Sequence, residues 1–83
     1  MASASRLFLR MKQNPAADWT IGDVETLCAH MELQFRRGKG SHCSIAYAHV
    51  AEALTIPARR PIKPVYIRLL IRYIERYGDP YAS

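Results

Sequence analysis

The sequence predicts one small α+β domain in which two helices pack on one face of a three-stranded antiparallel sheet, in the order α-β-β-β-α. The 83 residues are enough for a single domain. Apolar residues recur at helical spacing in two segments, and between these segments their period changes to two. We expect the domain to span residues 19–78, followed by a tail at 79–83. Residues 1–18 show no clean periodicity and contain the turn pair Asn14-Pro15, so we expect a mobile or loosely docked arm.

A first helix is predicted over residues 20–31, because both its start and its buried face can be recognised. Thr20 is a candidate N-cap, and Asp23 follows it at the spacing of a capping box. Trp19 and Val24 have the spacing of a hydrophobic staple, which fixes the direction in which the chain enters a helix. The apolar residues at helical spacing are Ile21, Val24, Leu27, Cys28 and Met31.

Three short strands are predicted after this helix, since polar and apolar residues alternate there. They cover residues 33–36, 42–47 and 53–57, and a proline ends the third strand. His42 begins the second strand and is expected on the sheet face away from the helices. The residues expected to face the helices are Cys43, Ile45 and Tyr47.

The last helix is predicted to begin at Pro64, because a proline at the first helical position loses no hydrogen bond. Gly78 followed by Pro80 is a helix-stop signal. The apolar stripe that this helix should bury consists of Ile67, Leu70, Ile71 and Ile74.

The charge balance favours a polyanionic partner. Twelve Lys and Arg residues against seven Asp and Glu give a net charge of +5 and an isoelectric point near 9.6. Nucleic acid is the simplest such partner, and ordinary solubilising charge is the alternative. Neither a membrane-spanning segment of about 20 apolar residues nor a signal peptide is evident, so we expect a cytoplasmic protein with no membrane partner.

The cysteines and histidines do not have the spacing of a metal site. No C-x₂-C or H-x₃-H pair is present. We therefore expect neither a metal nor another cofactor. Cys28 and Cys43 are expected to be buried free thiols.

His42 has the surroundings of a site, in the stretch "GKGSHCSIAY" at residues 38–47. An imidazole can give or take a proton near neutral pH, and glycines let a backbone approach a phosphate closely. The alternative is a tight turn followed by a solvent-facing histidine. The neighbouring residues that would help to bind a nucleic-acid phosphate are Arg36, Arg37, Lys39, Gly40 and Ser41.

A second basic cluster lies in "ARRPIKP", residues 58–64, where prolines keep the chain extended. Phosphate binding and plain solvation both remain open for it. Three tyrosines of the last helix, Tyr66, Tyr73 and Tyr77, recur on one flank. They would form a stacking surface for bases, or else pack partly buried or form a protein interface. The cations of this second cluster are Arg59, Arg60 and Lys63.

RNA cleavage suits a chain with one suitable histidine and several cations. No paired carboxylates, Ser/His/Asp spacing or Walker loop are evident. RNA brings its own nucleophile, the ribose 2′-OH, which DNA lacks. The protein would then need only to move a proton and stabilise negative charge at the phosphate.

The stretches "RRGKGSHCSIAY" and "LTIPARRPIKPVYIRLLIRYIE" together resemble the HicA family of toxins from toxin–antitoxin systems, over roughly residues 19–76. HicA proteins are mRNA interferases with a double-stranded-RNA-binding-like (dsRBD-like) fold. The resemblance implies that His42 is catalytic and that a HicB antitoxin covers its face. Relatives often carry His-Pro where this chain has Tyr47-Ala48, and an aromatic or basic pair in place of Cys43-Ser44.

The leading prediction is therefore a toxin that cleaves single-stranded mRNA as a metal-independent endoribonuclease. His42 would act as general base or acid, and the two basic clusters would hold the RNA backbone. A non-catalytic RNA-binding module of the same fold is the alternative. A protein-interaction domain that uses the tyrosines and arginines is a third reading.

Overall fold

The computed structural model describes residues 2–79, with side chains from Arg6 onward; the remaining tail, including Pro80, lies outside the described residues. Its three helices and three strands form an α+β fold, and the antiparallel sheet has the strand order β1-β2-β3. This confirms the predicted class, with one helix more than expected. The elements are α1 (Ala2–Gln13), α2 (Ile21–His30), β1 (Gln34–Arg37), β2 (His42–Ala46), β3 (Leu54–Pro57) and α3 (Pro64–Tyr77).

The N-terminal segment is a packed helix, which corrects the expected mobile or loosely docked arm at residues 1–18. Phe8 and Met11, on one side of α1, are fully buried in the hydrophobic core. The helix contacts both α2 and α3. The Lys12 Nζ atom donates a hydrogen bond to a Glu75 carboxylate oxygen of α3 at 2.6 Å. Burial of two large side chains explains why this helix belongs to the domain.

Helix α2 begins as the sequence predicts. The Thr20 side chain accepts a hydrogen bond from the Asp23 amide at 3.2 Å, and the Asp23 carboxylate accepts one from the Thr20 amide at 2.9 Å. These two bonds form a capping box, which satisfies backbone donors that a helix start leaves without partners. The helix ends at His30, and Glu32 follows with a φ of 61°, which turns the chain toward β1.

The strand register confirms which side of β2 faces the core. Cys43 pairs with Ile56 of β3, and both are buried. His42 pairs with Pro57 and is exposed, because successive side chains of a strand point to opposite faces. Ile45 and Tyr47 are buried on the Cys43 side, as predicted.

Helix α3 has Pro64 at its first position, as predicted. Its predicted stripe is buried, and Tyr73 is buried beside it. Gly78 ends the helix with an extended backbone and donates a hydrogen bond to the Ile74 carbonyl at 2.8 Å. The Tyr47 ring lies directly against Gly78, where a side chain would not fit.

Tyr47 and two tyrosines of α3 hold the loop that leads into β3. The Tyr73 hydroxyl accepts a hydrogen bond from the Tyr47 amide at 3.2 Å and donates one to the Glu52 carbonyl at 2.8 Å. Tyr77 donates to the Glu52 carboxylate at 2.9 Å, and this bond raises the pKa of the Tyr77 hydroxyl. Burial raises the pKa of Tyr47. These residues therefore support the fold instead of forming an open stacking surface.

Candidate functional site

One cleft of about 280 Å³ collects residues from both of the sequence stretches that were predicted to bind RNA. It lies where the start of β2 and the end of β3 meet the connector of residues 58–63 and the first turn of α3. Among the predicted site residues, it contains the candidate catalyst, a hydroxyl and two cations. The residues that line it are Ser41, His42, Pro57, Arg59, Pro61, Lys63 and Tyr66.

The hairpin between β1 and β2 places His42 at the cleft. The chain reverses over residues 38–41, and Gly40 has a φ of +66°, a conformation that disfavours any residue with a side chain. The Gly38 amide donates to the His42 carbonyl at 2.8 Å, which closes the turn. His42 is therefore the first strand residue after the turn, and its alternation with buried Cys43 directs it to the open face.

The connector of residues 58–63 forms the opposite wall and is bound to the rest of the domain. The Ala58 amide donates a hydrogen bond to the Ser41 carbonyl, which joins the start of the connector to the β1–β2 hairpin. The Ile62 amide donates to the Trp19 carbonyl at 2.8 Å, and the Ile62 side chain is buried. Two distant parts of the chain thus meet at one cleft.

The cleft is positively charged and has no acidic lining residue. Arg59 and Lys63 are exposed, and neither forms an ion pair with any described residue. Their charges are therefore available to an anion. Cations in this arrangement bind phosphate by charge-assisted hydrogen bonds.

Arg60 points elsewhere, although it is adjacent to Arg59 in the sequence. Its Nη2 and Nε atoms donate to the two carboxylate oxygens of Asp18, at 2.8 and 3.2 Å. This hydrogen bonding lowers the pKa of the Asp18 carboxyl and raises that of the Arg60 guanidinium. Arg60 joins the connector to the segment before α2 and does not line the cleft.

The cations of the first cluster are spread around the hairpin, and none of them lines the cleft. Arg37 lies 3.5 Å from a Glu25 carboxylate oxygen, and its guanidinium lies over the Phe35 ring. Arg36 pairs with Ser44, so it belongs to the same sheet face as His42. Lys39, with Gly40, is in the exposed turn. Arg36 and Lys39 could therefore contact a polyanion only where it extends beyond the cleft.

The two residues that follow His42, Cys43 and Ser44, lie on different sides of the sheet. Cys43 is 2% exposed and belongs to the core side, away from His42. Ser44 is half-buried and shares the sheet face of His42. Only Ser44 can therefore affect contacts on the open face.

Pro57 and Pro61 are cleft residues that sequence reasoning did not assign to the site, and Tyr66 was considered only together with Tyr73 and Tyr77, as one of three readings of their common flank. The signal for Tyr66 was its place in the first turn of α3, three residues after Lys63. In the sequence, the first proline was interpreted as the end of a strand and the second as a residue that keeps the loop extended. Their contribution to the cleft depends on how β3 and the connector fold together.

The lining residues can bind a phosphate and move a proton near it. The cleft supplies one imidazole, two hydroxyls (Ser41 and Tyr66) and two cations, but no carboxylate. Within residues 6–79, no three His, Cys, Asp or Glu side chains are grouped in a way that could hold a metal ion. No helix of the described chain is long and apolar enough to cross a membrane.

Comparisons with protein-family models, curated proteins and solved structures found no match. The functional interpretation therefore depends on the cleft and on the motifs quoted above.

Proposed function

We propose that this protein is a metal-independent endoribonuclease that cleaves single-stranded mRNA, as a toxin similar to HicA. The observation that carries the proposal is the meeting of His42 with Arg59 and Lys63 in one cleft. These residues come from the two sequence stretches that resemble HicA. In this proposal β1–β3 with α2 and α3 form a dsRBD-like core, to which α1 is added.

The cleft residues suit cleavage by internal attack. His42 would accept the proton of a ribose 2′-OH, whose oxygen then forms a bond to the adjacent phosphorus. The bond from phosphorus to the 5′-oxygen breaks, and that oxygen takes a proton from water or from the imidazolium. A positioned general base contributes about 10²–10⁴-fold to the rate. Arg59 and Lys63 would stabilise the negative charge on the phosphorane.

Cleavage by purified protein tests the proposal directly. A single-stranded RNA is incubated with wild type and with His42→Ala in the presence of EDTA. We expect wild type to give products that end in 2′,3′-cyclic phosphate, and His42→Ala to lose at least 100-fold in rate. A substrate with 2′-O-methyl groups should resist cleavage. Equal cleavage by both proteins, or none by wild type, would contradict the proposed activity.

A non-catalytic RNA-binding module is the second candidate function. It is favoured by the composition of the cleft, where His42 is the only imidazole or carboxyl group among the described lining residues. Such a module would bind RNA and release it unchanged. Two phosphate contacts to a single strand would give a slope of about −1.4 for log K against log salt concentration. The catalyst would share this slope, so product analysis separates the two candidates.

The resemblance to HicA also supports an antitoxin partner of the HicB type. The cleft carries the cations Arg59 and Lys63 and no acidic residue in its lining. An acidic protein seated there would neutralise them and exclude RNA. The product of an adjacent reading frame is the candidate to test, by titrating it into the cleavage reaction. Full cleavage at a twofold excess of that protein would contradict its role as antitoxin.

A further inference from the structure

We propose that the cleft binds an unpaired RNA base stacked on Tyr66, next to a phosphate held by Arg59 and Lys63. This inference rests on the RNA substrate of the proposed function, and it adds the part of the substrate that the cleft recognises. Tyr66 becomes a specificity-determining residue. Recognition would require a base that is neither paired nor stacked on the adjacent bases of the RNA.

Tyr66 differs from the other described tyrosines in that its side chain makes no ring contact and no hydrogen bond within the described residues. Tyr47 and Tyr73 are buried and stack on each other with ring centroids 5.9 Å apart. Tyr77 packs on Tyr73 and donates its hydroxyl to Glu52. Tyr66 is half-buried: it packs partly against the hydrophobic core and also lines the cleft. The part of its ring that lines the cleft is therefore available to a ligand.

The rest of the lining fits a nucleotide better than a phosphate alone. Pro57 and Pro61 add apolar walls that donate no hydrogen bond. Arg59 and Lys63 supply charge to the same small space. An aromatic ring and prolines beside two cations match a flat base joined to a phosphate. Proteins commonly bind single strands by this combination of stacking and charge.

The size of the cleft limits its occupant to about one nucleotide. Its volume of about 280 Å³ lies just below the range of about 300–1,000 Å³ for drug-sized ligands. A base inside a duplex is stacked on both neighbours and cannot enter such a space. A base from a loop or a single strand can be turned outward to stack on a side chain.

Binding, measured without cleavage, tests this inference. Fluorescein-labelled RNA hexamers are titrated with His42→Ala protein, in which Tyr66 is retained or changed to Phe or Leu. We expect Tyr66→Phe to bind like the parent and Tyr66→Leu to bind about 5- to 150-fold more weakly, the range for losing one stacked base. Tyr77→Leu, on the same helix but outside the cleft, is the matched control and should bind like the parent.

Removing the base from the RNA gives a second test that leaves the protein's Tyr66 intact. Hexamers with one abasic nucleotide at each position in turn are bound to the His42→Ala protein. We expect one position to show a loss similar to that of Tyr66→Leu, and no further loss when the two changes are combined. This test decides the matter even if Tyr66→Leu fails to fold.

The outcomes separate this inference from the proposed function. Equal affinity for all abasic hexamers, or equal binding by Tyr66→Leu and its parent, would overturn base stacking even if wild type cleaves RNA. A loss at one position with no cleavage by wild type would support base stacking and contradict the endoribonuclease. A loss in the Tyr77→Leu control as large as in Tyr66→Leu would also overturn the inference.

Discussion

Replacing Phe8 with alanine should destabilise the whole domain, because α1 contributes a fully buried side chain to the core. Phe8 has no exposed surface. A buried Phe→Ala change costs about 3–5 kcal/mol, from lost transfer free energy and from the cavity left behind. At about 0.05–0.15 kcal/mol per residue, a domain of this length has a total stability of about 4–12 kcal/mol. The substitution would therefore remove a quarter of that stability or more.

Urea unfolding followed by tryptophan fluorescence measures this loss. Trp19 is the single tryptophan of the chain, is 6% exposed, and donates its indole N–H to the Asn14 carbonyl at 2.8 Å. With a slope of about 1–3 kcal/mol per molar urea, the midpoint should fall by about 1 M or more. Leu9→Ala is the matched control on the same helix, since Leu9 is 37% exposed, and should cost less than about 1 kcal/mol. Equal losses in the free energy of unfolding for Phe8→Ala and Leu9→Ala would refute the packing of α1. They would favour the loosely docked arm that the sequence predicted.

Three further perturbations test other features. Gly78→Ala should lower the free energy of unfolding in urea by about 1–3 kcal/mol through overpacking, because a Cβ atom there would lie 2.6 Å from the Tyr47 Cζ atom. An unchanged free energy of unfolding would contradict this contact. Arg59→Ala should reduce the slope of log K for RNA binding against log salt concentration by about 0.7, whereas Arg60→Ala should leave this slope nearly unchanged. Equal effects of the two substitutions would contradict the finding that Arg59 lines the cleft and Arg60 does not. Burial and a nearby carboxylate raise the pKa of the Cys28 thiol to about 12, so roughly one thiol in ten thousand is ionised at pH 8. Iodoacetamide should therefore leave the mass of the peptide that contains Cys28 unchanged until urea is added. Rapid labelling of Cys28 in the native protein would contradict its burial.

Most of the fold could be predicted because local signals mark each element between residues 19 and 78. The capping box of Thr20 and Asp23, and Pro64 at the start of α3, are visible in the sequence and present in the structure. Helix α1 has no acidic residue in its first turn and no recognisable cap in the sequence. Its apolar residues Phe8 and Met11 have helical spacing, but their burial depends on α2 and α3. Tertiary packing therefore determines this helix more than local propensity does.

The sequence predicted two basic clusters and a histidine for the site, but not which of the cations lie beside the histidine. Sequence could not separate Arg59 from Arg60, because the difference depends on Asp18, which lies 42 positions away from Arg60. It also grouped Tyr66 with Tyr73, since a spacing of seven places them on one flank of a helix. Seven residues are about 10 Å along the helix axis, so one tyrosine reaches the cleft while the other reaches the loop before β3.

The connector of residues 58–63 is held at three points before any ligand arrives. Ala58 is bound to the hairpin, Arg60 to Asp18, and Ile62 to Trp19. Fixing the backbone of a flexible segment costs about 1–2 kcal/mol per residue in conformational entropy. Because the connector is already ordered in the folded domain, this entropy is lost during folding and does not weaken ligand binding. A ligand therefore encounters a preorganised cleft, and its association should be limited by diffusion and charge instead of by loop closure.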